Sequence, residues 1–163
     1  MAPRSLNGVL VVWVGRRVSE AVDSLAVDYA GRLARHMPFA EVRVRPAVGR
    51  GADPQRVLAQ EAAAIRRHFE AGDTVVALDE RGAQRTTEEL AAWLDAQRRR
   101  GRTVFLIGSD LGLANDLKAE AQERLSLSRL TLPHGLARVV LLEQLYRAAD
   151  LLAGGQYHRA ASG

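Results

Sequence analysis

Residues 8–14 (GVLVVWV) form a nearly continuous apolar run between glycines, the pattern of a short strand buried on both faces. Ser19 then stands as the cap of a helical pattern running to about Arg35, and residues 40–45 alternate apolar and charged positions, as a strand with one wet face does. Asp53 followed by Pro54 supplies an N-cap and a proline at the first helical position, so a helix is expected from there to Ala71, ended by Gly72. Residues 74–78 (TVVAL) read as the third strand. Thr86 and Glu89 have capping-box spacing and open a helix that ends in Arg98, Arg99 and Arg100. The fourth strand is expected at residues 103–107 (TVFLI), followed by a helix over residues 114–124, a fifth strand at residues 127–132, and a last helix over residues 135–152.

Strands alternating with helices predict an α/β fold, a parallel sheet covered on both faces, in a single domain spanning residues 1–163 with residues 1–7 as a flexible N-terminal segment. The last helix is apolar almost all round, so it must be buried on more than one side. Either it is central to the core or it forms a dimer interface.

Composition narrows the chemistry. The chain has no cysteine, which excludes disulfides, thiolate nucleophiles and cysteine-held metals. Its four histidines, His36, His68, His134 and His158, lack metal-ligand spacing, so no metal is expected. The opening residues lack the apolar stretch of a signal peptide, no membrane span is apparent, and a cytoplasmic protein is expected. The formal net charge is +4, and 22 of the basic residues are arginines against one lysine, Lys118. Arginine forks match phosphate and stack on bases, which favours a polyanionic partner such as RNA, although a codon bias toward arginine yields the same composition. The run of three arginines has its own structural explanation, because cations are stabilised at the negative end of a helix dipole.

Ligands of open α/β sheets bind beyond the carboxyl ends of the strands. The turns there read Leu78-Asp79-Glu80-Arg81-Gly82, Gly108-Ser109-Asp110-Leu111-Gly112 and Pro133-His134-Gly135. Neither a G-x-G-x-x-G nor a G-x-x-x-x-G-K-[ST] motif follows a strand, which disfavours dinucleotide binding and P-loop hydrolysis. Glycines such as Gly108 and Gly112 allow close backbone approach to a ligand, but they serve ordinary turns equally well. Glu143 and Arg147 are four apart, in the favourable order for a helix ion pair. Tyr157-His158-Arg159 brings together a ring that stacks, a group that titrates near neutrality and a phosphate ligand, at a position where a frayed terminus is also expected.

Taken together, Val14-Gly15, Leu78-Asp79 with Gly82, Leu106-Ile107-Gly108, Leu125-Ser126-Leu127-Ser128, Leu130-Thr131-Leu132-Pro133-His134, Arg138-Val139, Glu143-Gln144-Leu145-Tyr146-Arg147-Ala148 and Tyr157-His158-Arg159 resemble the ribosomal RNA large-subunit methyltransferase H family, of the SPOUT class. The resemblance spans nearly the whole chain. It implies an α/β fold with a C-terminal trefoil knot and a homodimer that moves a methyl group from S-adenosylmethionine to N3 of a pseudouridine in 23S ribosomal RNA on the ribosome. Carried over by position, the cofactor site is Leu78, Gly108, Leu127, Ser128, Arg129, Leu130, Thr131 and Leu132. His158, Tyr157 and Arg138 are the expected catalytic residues, and Arg159 and Arg147 the RNA-binding ones.

Two positions depart from the family pattern. Ser109 stands where a second glycine is usual, and Gln156 where proline is usual. Ser109 is expected to add a side chain beside the cofactor, and Gln156 to loosen the tail, with altered activity as the consequence. Two alternatives stay open at this point: a SPOUT enzyme acting on transfer RNA, and an RNA-binding module that has lost turnover.

Overall fold

The computed structural model describes residues 7–16, 19–47 and 51–161. The expectation for residues 1–7 therefore falls almost wholly outside the described residues. Five strands, β1 (Val9–Val14), β2 (Phe39–Val44), β3 (Thr74–Ala83), β4 (Thr103–Ile107) and β5 (Glu123–Leu125), form one sheet in the order β2-β1-β4-β3-β5. Every pairing is parallel. Helices α1 (Glu20–Ala34), α2 (Pro54–Arg66), α3 (Thr87–Arg98), α4 (Asn115–Glu120), α5 (His134–Leu152) and α6 (Tyr157–Ala161) complete the chain.

The apolar run of β1 is explained by two cores. Val9, Val11 and Trp13 point into a cluster with α1, α3 and α5, whereas Leu10, Val12 and Val14 point into a second cluster with α2 and α4. Because successive strand side chains face opposite ways, a central strand covered on both faces has no wet position, and all six β1 residues are buried. Phe105 on β4 is fully buried. Truncating it to alanine is worth about 3–5 kcal/mol, since transfer and cavity costs add.

Local signals set the helix starts. Ser19 Oγ accepts from the Val22 amide, Asp53 Oδ1 from the Gln55 amide with Pro54 at the first helical position, and Thr86 and Glu89 form the complete capping box. Each such cap is worth about 1 kcal/mol. The ends are less faithful to pattern. Helix α2 stops at Arg66 and not at Ala71: the His68 and Phe69 amides bond back only three residues, to Ile65 and Arg66, and Phe69 folds against the second core.

The expected strand at residues 127–132 is not a strand. Strand β5 lies earlier, at Glu123–Leu125, overlapping the end of the stretch where the preceding helix was expected. Its edge is fixed by long-range partners: Gln122 Oε1 accepts from the Val75 amide at 2.7 Å, and the Ser126 amide donates to the Ala83 carbonyl at 2.9 Å. Beyond that point two serines divert the chain. Ser126 Oγ donates to the Ser128 carbonyl, and the Leu130 amide donates to Ser128 Oγ, local bonds that compete with a ladder and hold a turn. Strand β3 is also longer than expected, and its register with β5 jumps between Leu78 and Ala83. The chain between them therefore bulges out beyond the end of β5.

Helix α5 lies in the first core, packed on α1 and α3. Of the two explanations for its apolar circumference, the core accounts for most of it, because Val139, Leu141, Leu142, Leu145, Ala148 and Ala149 are buried within one chain. Leu136 and Leu152 at its ends are exposed.

Candidate functional site

Beyond the carboxyl ends of β3, β4 and β5 lies a cavity of about 730 Å³, a size that suits a small ligand. Leu78, Ile107, Leu125, Leu127 and Ala137 form its apolar lining, residues 108–113 one wall and residues 130–134 the other. Asp79, Glu80, Arg81 and Lys118 bring charge to the rim. Seven of the eight expected cofactor residues, Leu78, Gly108, Leu127, Ser128, Leu130, Thr131 and Leu132, line this one space. Arg129 is exposed and is not among the lining residues.

The cavity is held open by backbone. A Cβ on Gly108 would fall 2.8 Å from the Leu113 nitrogen and still nearer the Gly112 carbonyl, so glycine is required for the chain to fold back on itself here. The turn closes through the Gly112 amide to the Ser109 carbonyl at 2.8 Å. Two contacts hold the rim. Thr131 Oγ1 donates to Glu80 at 2.9 Å, and Lys118 Nζ lies 3.7 Å from Asp79. Sequence reasoning missed both. Lys118 stood out as the single lysine, but a residue on α4 and one on β3 are neighbours only once the sheet is assembled.

Ser109 lines the cavity, and its hydroxyl is engaged by the protein itself. Its Oγ donates at 2.7 Å to Oε1 of Glu61, a carboxylate on α2 that is 3% exposed and also accepts weakly from the Ala47 amide. The serine thus anchors the turn to the helix behind the sheet. His134, at the first turn of α5, lies on Gly15, where a Cβ would be 2.7 Å from its ring. Its Nδ1 meets Asp110 at 3.0 Å, and Nε2 is buried without a hydrogen bond.

The expected RNA-facing residues form a separate group. Arg138, Arg147, Tyr157, His158 and Arg159 do not line the cavity. Tyr157 and His158 are not frayed but open the short helix α6. The Tyr157 amide donates to Asp150 at 3.1 Å and its hydroxyl to Glu143 at 3.2 Å, while its ring centroid is 4.7 Å from that of Tyr146. Arg147 donates to Glu143 at 2.9 Å, the expected helix pair, and its guanidinium lies 4.4 Å from the Tyr157 ring centre. His158 Nε2 meets Glu88 of α3 at 2.8 Å. Arg159 is exposed.

Burial first, then the Tyr29 hydroxyl and the Glu143 charge, push the Tyr157 phenol well above its ordinary value. At neutral pH it is a hydrogen-bond donor and not a base. The hydrogen bond from His158 holds Glu88 below the usual glutamate range, and the one that Arg147 donates to Glu143 raises Arg147.

Arg138, expected among the catalytic residues, is engaged elsewhere in this chain. Its guanidinium donates to both oxygens of Glu41 and, at 2.9 Å, to Asp23, and it lies 4.3 Å from the Trp13 ring centre, with the residue 6% exposed. Two carboxylates already neutralise the charge, so in this chain Arg138 ties α5 to α1 and β2. The shallow hollow over it adds Glu20 and Arg43, a lining too acidic for a phosphate.

Among the described residues no cluster of three or more His, Asp or Glu could hold a metal ion, and no helix is long and apolar enough to cross a membrane.

A family model described as "Predicted SPOUT methyltransferase" matches residues 8–158. Ribosomal RNA large subunit methyltransferase H of Thiobacillus denitrificans is 42% identical over 151 residues, covering 91% of this chain and 97% of the relative. The protein of the same name from Gloeobacter violaceus is 43% identical over 150 residues, with 92% and 97% covered. Among solved structures, a putative methylase family protein from Neisseria gonorrhoeae matches with a TM-score of 0.53 at 16% identity, over 88% of this chain and 83% of its own. The SpoU methyltransferase AviRb of Streptomyces viridochromogenes, solved with the cofactor AdoMet, matches with a TM-score of 0.51 at 16% identity, over 94% of this chain and 61% of its own. At these identities the structural likeness establishes the fold.

Proposed function

The chain belongs to the SPOUT methyltransferase family, within the ribosomal RNA large subunit methyltransferases H, and on that premise we propose that it methylates N3 of a pseudouridine in 23S ribosomal RNA. The observation that carries the cofactor half is the convergence of Leu78, Gly108, Leu127, Ser128 and residues 130–132 on one cavity, from segments up to about fifty residues apart. The residues fit S-adenosylmethionine: the apolar lining suits a flat adenine, and the two loops offer backbone donors and acceptors. Arg129 contributes through its backbone on this reading.

S-adenosylmethionine supplies an electrophilic methyl group on a sulfonium. The protein has to align the acceptor nitrogen in line with that methyl and help remove its proton, and neither task needs a covalent nucleophile. His158 is the group that takes or orients the N3 proton. Tyr157 remains protonated and directs its hydroxyl, and its ring stacks beside the base. Glu143 holds both Tyr157 and Arg147 in position. Arg159, exposed next to His158, is the phosphate ligand of the tail.

Within one chain the tail group and the cavity are separate, which supports a homodimer in which the tail of one copy completes the cavity of the other. Exposed Leu111, Leu130 and Leu136 beside the cavity mouth support the same arrangement, since they offer apolar area to a second copy. The knotted threading of the C-terminal segment and work in the cytoplasm on assembled ribosomes belong to this reading too.

The test is transfer of radiolabelled methyl to ribosomes from a strain lacking the modification, followed by mapping of the modified base. Label at N3 of one 23S pseudouridine is expected. Label on transfer RNA instead, or cofactor binding with no transfer to either RNA, overturns the assignment.

A further inference from the structure

The tail cluster continues onto α1, where neither the motifs nor the resemblance led. The Tyr29 ring centroid lies 6.4 Å from that of Tyr146, and Arg32 places its guanidinium 5.7 Å from the Tyr29 ring centre and 5.8 Å from that of Tyr146. With Tyr157 and Arg147 this makes a row of three rings and two guanidinium planes across α1, α5 and α6. We infer that α1, through Arg32 and Tyr29, extends the tail into a face that binds the unpaired RNA nucleotides flanking the acceptor base. The inference rests on the RNA methyltransferase reading for the identity of that base.

Three observations carry it. Rings and guanidinium planes are the surfaces on which unpaired bases stack, whereas a duplex keeps its base faces covered. Arg32 is accessible, with its side chain 40% exposed, and its partner Asp28, at 3.1 Å, is 52% exposed. An exposed pair four residues apart is weak, so a phosphate oxygen can displace Asp28 at little cost. Finally, the other carboxylates of the cluster are engaged: Glu143 receives Arg147 and Tyr157, and Asp150 receives the Tyr157 amide and lies 3.6 Å from His36. Asp28 is thus the carboxylate left to compete for Arg32.

Tyr29 and Tyr146 also brace α1 on α5, so the test uses the exposed pair. Binding of purified, unmodified large ribosomal subunits is measured by filter retention over a salt series, alongside melting and S-adenosylmethionine affinity. Arg32→Ala is expected to weaken subunit binding about tenfold and to lower the slope of log affinity against log salt by roughly one. Asp28→Asn is expected to tighten binding two- to threefold by removing the competitor, roughly what a weak surface pair is worth. Melting and cofactor affinity stay at wild-type values in both.

If both variants bind as wild type with an unchanged slope while the wild type still transfers methyl, the face is wrong and the enzyme reading stands. If binding depends on Arg32 as described but the wild type transfers no methyl, the face stands and the enzyme reading falls.

Discussion

The cavity and the tail cluster are built from different materials. The cavity owes its shape to backbone: a glycine turn after β4, a serine-held loop after β5 and the bulge at the end of β3. The tail cluster owes its shape to side chains, with rings, guanidinium groups and carboxylates each placed by another side chain. A site made of backbone tolerates changes at many side chains but not at the positions that let the backbone turn. One made of side chains fails at single atoms.

Several substitutions separate the two regions. The largest effect is expected from His158→Ala combined with Tyr157→Phe, which should lower methyl transfer to ribosomes by about a hundredfold or more. Cofactor affinity, followed by calorimetry, should not change. Wild-type turnover in this double variant would remove the tail from the chemistry. The mirror case is Gly108→Ala. The added methyl forces the turn off Gly112 and Leu113, and a decrease of about 1–3 kcal/mol in stability is expected, together with at least a tenfold loss of cofactor affinity.

Arg138→Met tests whether that residue belongs to either region. Removing the cation leaves Glu41 and Asp23 facing each other across a buried gap, so melting should report a loss of about 3 kcal/mol, with cofactor affinity unaltered. Ser109→Gly restores the usual family residue. It deprives the Glu61 carboxylate of its shorter hydrogen bond, and about 1–2 kcal/mol of stability should be lost. Cofactor affinity should stay within twofold, because the hydroxyl is already held by Glu61; a gain of tenfold would show that the serine obstructs it.

The smallest effect concerns pH. Glu88 has a folded-state pKa below its ordinary value of 4.5 because of the hydrogen bond from His158. The stabilisation is therefore complete above the ordinary value and lost as pH falls through the lower, folded one. A carboxyl titration followed by NMR should show the Glu88 midpoint depressed, and His158→Ala should return it toward 4.5.

Much of the fold was legible because its signals are local. Apolar runs marked β1 and β4, and Ser19, Asp53 and Thr86 marked helix starts with hydrogen bonds that span two or three residues. The error at residues 127–132 has the opposite origin. Leu127, Leu130 and Leu132 look like strand residues, but the edge of β3 is taken by residues 123–125, and pairing is decided by partners some fifty residues away. Periodicity carries no information about which of two neighbouring segments reaches an edge first.

The candidate site divides along the same line. The sequence by itself determined the ion pair of Glu143 with Arg147 and the absence of thiol chemistry, because spacing and composition are properties of the chain, and its resemblance to a known family pointed to seven of the residues that line the cavity. Only the tertiary structure decided that Arg138 is neutralised by Glu41 and Asp23, that Ser109 is bonded to Glu61, and that Arg32 and Tyr29 join the tail. A charge or hydroxyl acts according to what stands within about 4 Å of it, and in a parallel sheet with crossing helices those neighbours come from distant parts of the chain.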